Sequence, residues 1–93
     1  MNNKILYVED DPAIAEITKL TLETLGNFSV SHFFSGYDAI KMAARVSPEL
    51  ILLDVMMPKI DGVEVFKQLK LIDSLANIPI IFMTAKVQSH QIE

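Results

Sequence analysis

Four acidic side chains follow two short apolar runs of the sequence. Glu9, Asp10 and Asp11 come directly after the first run, and Asp54 ends the run at residues 50–53. Two carboxylates held about 4 Å apart repel by roughly 4 kcal/mol at an effective dielectric near 20. Stability alone does not favour such a cluster, whereas Mg²⁺ accepts a pair of carboxylates together with water and a phosphate oxygen. If the two runs are neighbouring strands, these acids form a candidate magnesium site.

The pattern of apolar residues predicts elements that could bring these acids together. Short runs that favour β-structure alternate with segments of helical periodicity. The predicted strands are residues 5–8, 28–34, 50–53 and 78–83. The intervening helices are expected to begin at Asp11, Ser35 and Asp61, residue types that are typical N-caps. This alternation predicts an open parallel α/β sheet, in which ligands bind beyond the carboxyl ends of the strands.

Helical spacing also predicts which face of each helix is buried. In the first helix Ile14, Ile17, Thr21 and Leu25 fall on one face, with Leu22 at its flank. The residues expected in the core from the next two helices are Ile40, Ala43, Ala44, Val65, Phe66 and Leu69. His32 and His90 lie outside the acidic segments, and surface positions are expected for both.

Composition excludes several classes of function. The chain has 93 residues, which suits one small domain, and 51% of them are hydrophobic, which favours a packed core. A net charge of −4 gives no electrostatic attraction to nucleic acid or to an anionic membrane. The absence of cysteine excludes thiol catalysis and cysteine-based zinc sites. No apolar stretch approaches transmembrane length, so a soluble cytoplasmic protein is expected.

Three segments resemble the successive signatures of the receiver domain of two-component response regulators: ILYVEDD, LILLDVMMPKIDG and IPIIFMTAK. Their order and spacing match, and the resemblance extends over essentially the whole chain. It implies a flavodoxin-like parallel sheet with strand order 2-1-3-4. In that family a sensor histidine kinase or a phosphotransfer protein donates a phosphoryl group to an aspartate, here Asp54. The resemblance therefore implies a signalling phosphoacceptor that switches an output, and not an enzyme in the usual sense.

The same resemblance implies a role for each residue around Asp54. Asp10 and Asp54 would bind Mg²⁺ directly, together with the backbone carbonyl of Met56. Glu9 would act on the cation through water. A carboxylate that attacks phosphorus beside a cation that stabilises charge is coherent chemistry. The residues expected to form the rim for the phosphodonor protein are Pro12, Ala13 and Ile14, with Met57 and Pro58 opposite.

The last part of the chain is expected to hold only part of the switch. The Thr84 hydroxyl, beside the small Ala85, would bond a phosphoryl oxygen. The family's phosphoryl-pairing lysine, fifth strand and fifth helix would lie beyond Glu93, and Lys86 follows Thr84 too closely to be that lysine. Residues 1–93 are thus expected to be the N-terminal part of a receiver, with an incomplete fourth helix. Either further residues follow, or two chains form a homodimer through the exposed fourth strand or swapped elements.

Three rival interpretations make different demands on the sequence. A flavin binder of the same fold would need a phosphate cradle after the first strand, where the segment EDDP would repel phosphate. A phosphatase with an aspartate nucleophile would place a second acid two residues after Asp54, where Met56 stands. The third stays open: a truncated or pseudo-receiver that acts as an interaction or dimerisation module without phosphorylation.

Overall fold

The sheet has the predicted parallel architecture. The structure is a computed structural model that describes residues 3–83. Its strands are β1 (Lys4–Val8), β2 (Ser29–Phe33), β3 (Leu50–Asp54) and β4 (Ile80–Met83). They pair in the order β2-β1-β3-β4, and every pair is parallel. The predicted strand order is confirmed, although β4 begins two residues later than expected, because Pro79 has no N–H to donate to the ladder.

Helices alternate with these strands along the chain. They are α1 (Pro12–Leu25), α2 (Gly36–Val46), α3 (Gly62–Lys70) and a short 3₁₀ helix (Asp73–Leu75). Asp11, Ser35 and Asp61 are the N-caps, and the side-chain oxygen of each accepts a backbone N–H from the first turn. The predicted helix starts are therefore confirmed. Between residues 3 and 83, no helix combines the length and the apolar character needed to cross a membrane.

Two apolar cores lie on opposite faces of the sheet. Side chains alternate along β1, so that Leu6 and Val8 face α2 and α3 whereas Ile5 and Tyr7 face α1. All four of these side chains are buried. The central strands β1 and β3 are thus covered on both faces, which explains why their sequences are continuously apolar up to the acids that end them.

The buried face of α1 differs from the predicted one. Ala15 is buried and Leu22 packs against the same core, whereas Thr21 is exposed. Ile17 and Leu25 are 67% and 83% exposed. The prediction was wrong because apolar residues occur all around this helix, so that spacing alone does not identify one face.

The other two helices follow their predicted faces more closely. In α2, Ala43 is buried as expected, but it is joined by Ala39, and Ala44 is exposed. In α3, Val65 and Leu69 are fully buried, as predicted. The loops that lead from β2 into α2 and from β3 into α3 lie beside the carboxyl ends of the central strands β1 and β3.

Candidate functional site

Three acidic side chains meet at the carboxyl end of the sheet. Glu9, Asp10 and Asp54 each offer a carboxylate oxygen, and these oxygens lie within 4.8 Å of one another. The pairing of β1 with β3 brings the acids together. Val8 and Leu53 are register partners, so the residues that follow them, Glu9 and Asp54, lie at the same level of the sheet. The structure therefore places in one cluster the residues that the sequence predicted as a cation site.

Burial sets the electrostatics of this cluster. The side chains of Glu9 and Asp54 are fully buried, and Asp10 is half-buried. Burial disfavours the charged form and raises the pKa of Asp54 to about 6, against a hydrogen bond from the Met56 N–H that lowers it. A hydrogen bond with Glu9 and the negative charges of Glu9 and Asp11 also contribute to this raised value.

Backbone amides hold the two buried carboxylates in place. The Met56 N–H donates to Oδ1 of Asp54 over 3.0 Å, and the Asp11 N–H donates to Oε2 of Glu9 over 3.1 Å. Each amide lies two residues after the carboxylate that it binds, so each acid is fixed by the turn that leaves its own strand. This arrangement orients both carboxylates before any ligand binds.

A glycine brings the loop after β3 back against Asp54. A Cβ atom at Gly62 would lie 2.5 Å from the Asp54 carbonyl oxygen and 2.9 Å from Cα of Val55, so only glycine permits this approach. The Gly62 N–H donates to the Val55 carbonyl over 3.2 Å. Lys59, in the same loop, has a φ of 69°, which few non-glycine residues adopt. The sequence predicted a helix start at Asp61, but not this contact with the site.

A histidine that was expected on the surface contacts the backbone of one residue of the cluster. His32, near the end of β2, is half-buried, and its Nε2 lies 2.8 Å from the backbone oxygen of Glu9. His32 is partly exposed, and its contact crosses from β2 to β1, which no local sequence pattern reveals. His90 lies outside the described residues.

The remaining predicted residues border the cluster or lie beyond the described part of the chain. A cavity of about 160 Å³ adjoins it and is lined by Asp10, Phe34, Ser35, Gly36, Met57, Pro58 and Lys59. A larger groove of about 510 Å³ lies between α2 and α3, away from Glu9 and Asp54. Thr84 and Ala85 lie outside the described residues. The last described residue, Met83, is the register partner of Asp54.

The donor set fits a hard divalent cation. All the candidate ligand atoms are oxygens, and Mg²⁺ binds one or two carboxylates while it retains several waters. A cation here would offset the repulsion and the desolvation that raise the pKa of Asp54. The fold and the cluster thus define a parallel α/β domain with a candidate magnesium site at the carboxyl ends of β1 and β3.

Comparison with known proteins identifies the family. The chain belongs to the response regulator receiver domain family, whose model matches residues 5–93. It is 43% identical over 86 residues to the alkaline phosphatase synthesis transcriptional regulatory protein PhoP of Bacillus subtilis. That alignment covers 92% of this chain and 35% of PhoP. The chain therefore spans about a third of the length of this curated relative. The resemblance drawn from the three sequence segments is confirmed.

Solved structures agree in fold. The chemotaxis protein CheY4 of Vibrio cholerae superposes with a TM-score of 0.86 at 25% identity, covering 98% of this chain and 75% of CheY4. The receiver domain of the sensor histidine kinase PA1611 from Pseudomonas aeruginosa superposes with a TM-score of 0.83 at 28% identity, with the same coverages. In that structure a magnesium ion is coordinated in the active-site cleft.

Proposed function

We propose that this chain is the phosphoacceptor receiver of a two-component system, and that Asp54 is the residue that is phosphorylated. The donor would be a sensor histidine kinase or a phosphotransfer protein in the cytoplasm, and the phosphorylated receiver would switch an output. One observation carries this proposal: a fully buried aspartate ends β3 within 4.8 Å of two further carboxylates. Membership of the receiver family gives that cluster its chemical interpretation.

The transfer forms one bond to phosphorus and breaks another. A carboxylate oxygen of Asp54 attacks the phosphorus of a phosphohistidine, the P–O bond forms and the P–N bond breaks. The electron pair of that bond leaves with the imidazole, and the product is an acyl phosphate. The nucleophile must be ionised, and a pKa of about 6 leaves most Asp54 side chains charged near neutral pH. The Met56 N–H fixes the rotation of this carboxylate.

Asp10 and Asp54 are the residues that would hold Mg²⁺, together with the Met56 carbonyl. Glu9 would act through water. When bound, the cation neutralises charge that develops on the transferring group. The fit is supported by the all-oxygen donor set and by the burial that makes an uncompensated carboxylate pair unfavourable.

Two further roles rest on the family resemblance and on position. We assign the Thr84 hydroxyl and the small Ala85 to contacts with the phosphoryl group, because they follow Met83, the register partner of Asp54. We assign docking of the donor protein to the start of α1 and the opposite loop. Ala13 and Pro58 are exposed there, so both are accessible to a partner.

Labelling with a small phosphodonor tests the proposal. Acetyl phosphate should label the protein only when Mg²⁺ is present, and Asp54→Asn should abolish the label. Asp73→Asn is a matched control, because Asp73 is an exposed aspartate at the start of the 3₁₀ helix. Label retained on Asp54→Asn would exclude Asp54 as the nucleophile. A folded chain that takes no label would instead support a phosphorylation-independent interaction module.

A further inference from the structure

The end of β2 holds both backbone polar groups of Glu9. The Glu9 N–H donates to the carbonyl of Phe33 over 3.1 Å, as the last bond of the ladder between β1 and β2. The Glu9 carbonyl oxygen lies 2.8 Å from Nε2 of His32. A carbonyl oxygen can only accept a hydrogen bond, so Nε2 carries the proton and donates. The His32 imidazole thus adds a hydrogen bond to Glu9, one residue beyond Val8 and Phe33, the last register partners of β1 and β2.

We propose that His32 is a positioning residue for the acid cluster, and that it acts by fixing the peptide group between Glu9 and Asp10. A peptide group is planar, so a hydrogen bond that holds the Glu9 oxygen also holds the Asp10 nitrogen in the same plane. This single peptide is flanked by Asp10, which would bind the cation directly, and by Glu9, which would act on it through water. Restricting its rotation therefore restricts where both carboxylates can point. The inference rests on the proposed function, because it assumes that the cluster binds Mg²⁺.

Aromatic neighbours keep the imidazole in place. The Tyr7 ring lies 5.3 Å from the His32 ring between centroids, and the Phe34 ring lies 4.4 Å away in an edge-to-face arrangement. Tyr7 is fully buried, so it provides a fixed surface for the imidazole to pack against. A ring that is packed in this way loses little further freedom when it donates its hydrogen bond, which is what a positioning residue requires.

Two substitutions at His32 separate the hydrogen bond from the packing. His32→Phe keeps an aromatic ring and removes the donor, whereas His32→Gln keeps a side-chain N–H. Mg²⁺ affinity is measured by calorimetry, and labelling by acetyl phosphate is measured as a function of Mg²⁺ concentration. We expect His32→Phe to weaken Mg²⁺ binding about three- to tenfold, the range of one hydrogen bond. The labelling rate at saturating Mg²⁺ should stay unchanged, and His32→Gln should recover part of the affinity.

Phe34→Leu is the matched control, because it alters the packing of the imidazole and leaves the donor present. Its Mg²⁺ affinity should fall by less than that of His32→Phe, since no hydrogen bond is removed. The proposal is overturned if His32→Phe binds Mg²⁺ as the original protein does. It is also overturned if His32→Gln or Phe34→Leu loses as much affinity as His32→Phe, because the effect would then come from packing.

The NMR spectrum of the metal-free protein distinguishes failure of this inference from failure of the proposed function. In the ¹H–¹⁵N spectrum of the metal-free protein, the imidazole Nε2–H should be protected from exchange, and His32→Phe should shift the Asp10 amide signal. If the protected N–H and the shifted Asp10 signal are both seen but the protein binds no Mg²⁺, the contact of His32 is supported and the metal-dependent function is refuted. If Mg²⁺ binds but neither signal behaves in this way, the role of His32 is refuted and the proposed function stands.

Discussion

Replacing Asp54 with asparagine is expected to stabilise the metal-free fold. Asparagine has nearly the same shape but carries no charge, so it avoids the desolvation and the repulsion that the carboxylate experiences. Those effects raise the pKa of Asp54 from 3.8 to about 6. Each pKa unit corresponds to about 1.4 kcal/mol, which gives roughly 3 kcal/mol as an upper value. Local relaxation lowers the effective penalty of a buried charge, so we expect a gain of about 1 to 2 kcal/mol.

The dependence on pH fixes the sign of this prediction. Between about pH 4 and 6 the native state keeps a proton on Asp54 that the unfolded chain has already released. The stability of the original protein therefore falls as the pH rises through this window. Below this window Asp54 is protonated in both the native and the unfolded state, so burying it carries no charge penalty. Above the window Asp54 is charged in both states, and the full penalty of burying the charge remains. The asparagine variant lacks this slope.

Thermal unfolding in the presence of a chelator measures the effect. For a domain of this size, 1 kcal/mol shifts Tm by about 4 to 8 °C, so Asp54→Asn should melt clearly higher at pH 7. The difference should shrink at about pH 4, where Asp54 is protonated in both states. Asp73→Asn should show neither effect, because Asp73 is exposed. A variant that melts no higher at pH 7, or a difference that persists at low pH, would refute the electrostatic reasoning.

Three further substitutions test other parts of the domain. Asp10→Asn should weaken Mg²⁺ binding in calorimetry by removing one charged ligand, and an unchanged affinity would exclude Asp10 from direct coordination. Ala13→Glu should slow transfer from the cognate kinase but not labelling by acetyl phosphate, whereas equal slowing would indicate damage to the site. Lys70→Met should lower the free energy of unfolding in urea by about 1 to 3 kcal/mol, because Nζ donates to the carbonyls of Ala76 and Ile78 over 3.0 Å each. An unchanged midpoint would show that these bonds add nothing to stability.

The acid cluster was predictable because each of its parts has a local signal. Asp54 and Glu9 each end a continuous apolar run, and runs of that kind are typical of strands buried on both faces. The N-caps Asp11 and Asp61 mark where the following helices begin. Once two such strands are parallel neighbours, their carboxyl ends meet, so the position of the acids follows from the topology.

Other features could not be predicted, because they depend on contacts between distant segments. In α1 the small Ala15 is buried whereas the more apolar Ile17 is exposed, which helical spacing alone does not indicate. The hydrogen bond from His32 to Glu9 joins residues 23 positions apart, with no periodic pattern to indicate it. The contact of Gly62 with the Asp54 carbonyl requires the loop to fold back, which the helix start predicted at Asp61 does not specify.

The two edges of the sheet are covered differently, and this difference predicts how residues 1–93 behave as an isolated chain. At the β2 edge, Oε2 of Glu23 accepts the outward N–H of Val30 over 3.3 Å. Within residues 3–83, β4 has a strand on one side only, and Ile81 and Phe82 are 50% and 42% exposed. An apolar open edge favours pairing with another chain.

We therefore expect the isolated chain to associate through β4, either edge to edge or by exchange of elements. Light scattering after size exclusion should show a mass that rises with concentration. Ile81→Lys should reduce that association, because a charge on an edge strand opposes pairing. Ile17→Lys is the matched control: Ile17 is also exposed but lies on α1, so this variant should associate as the original chain does. A monomer at every concentration with a cooperative melt would show that β4 needs no partner, and equal effects of the two lysines would place the contact elsewhere.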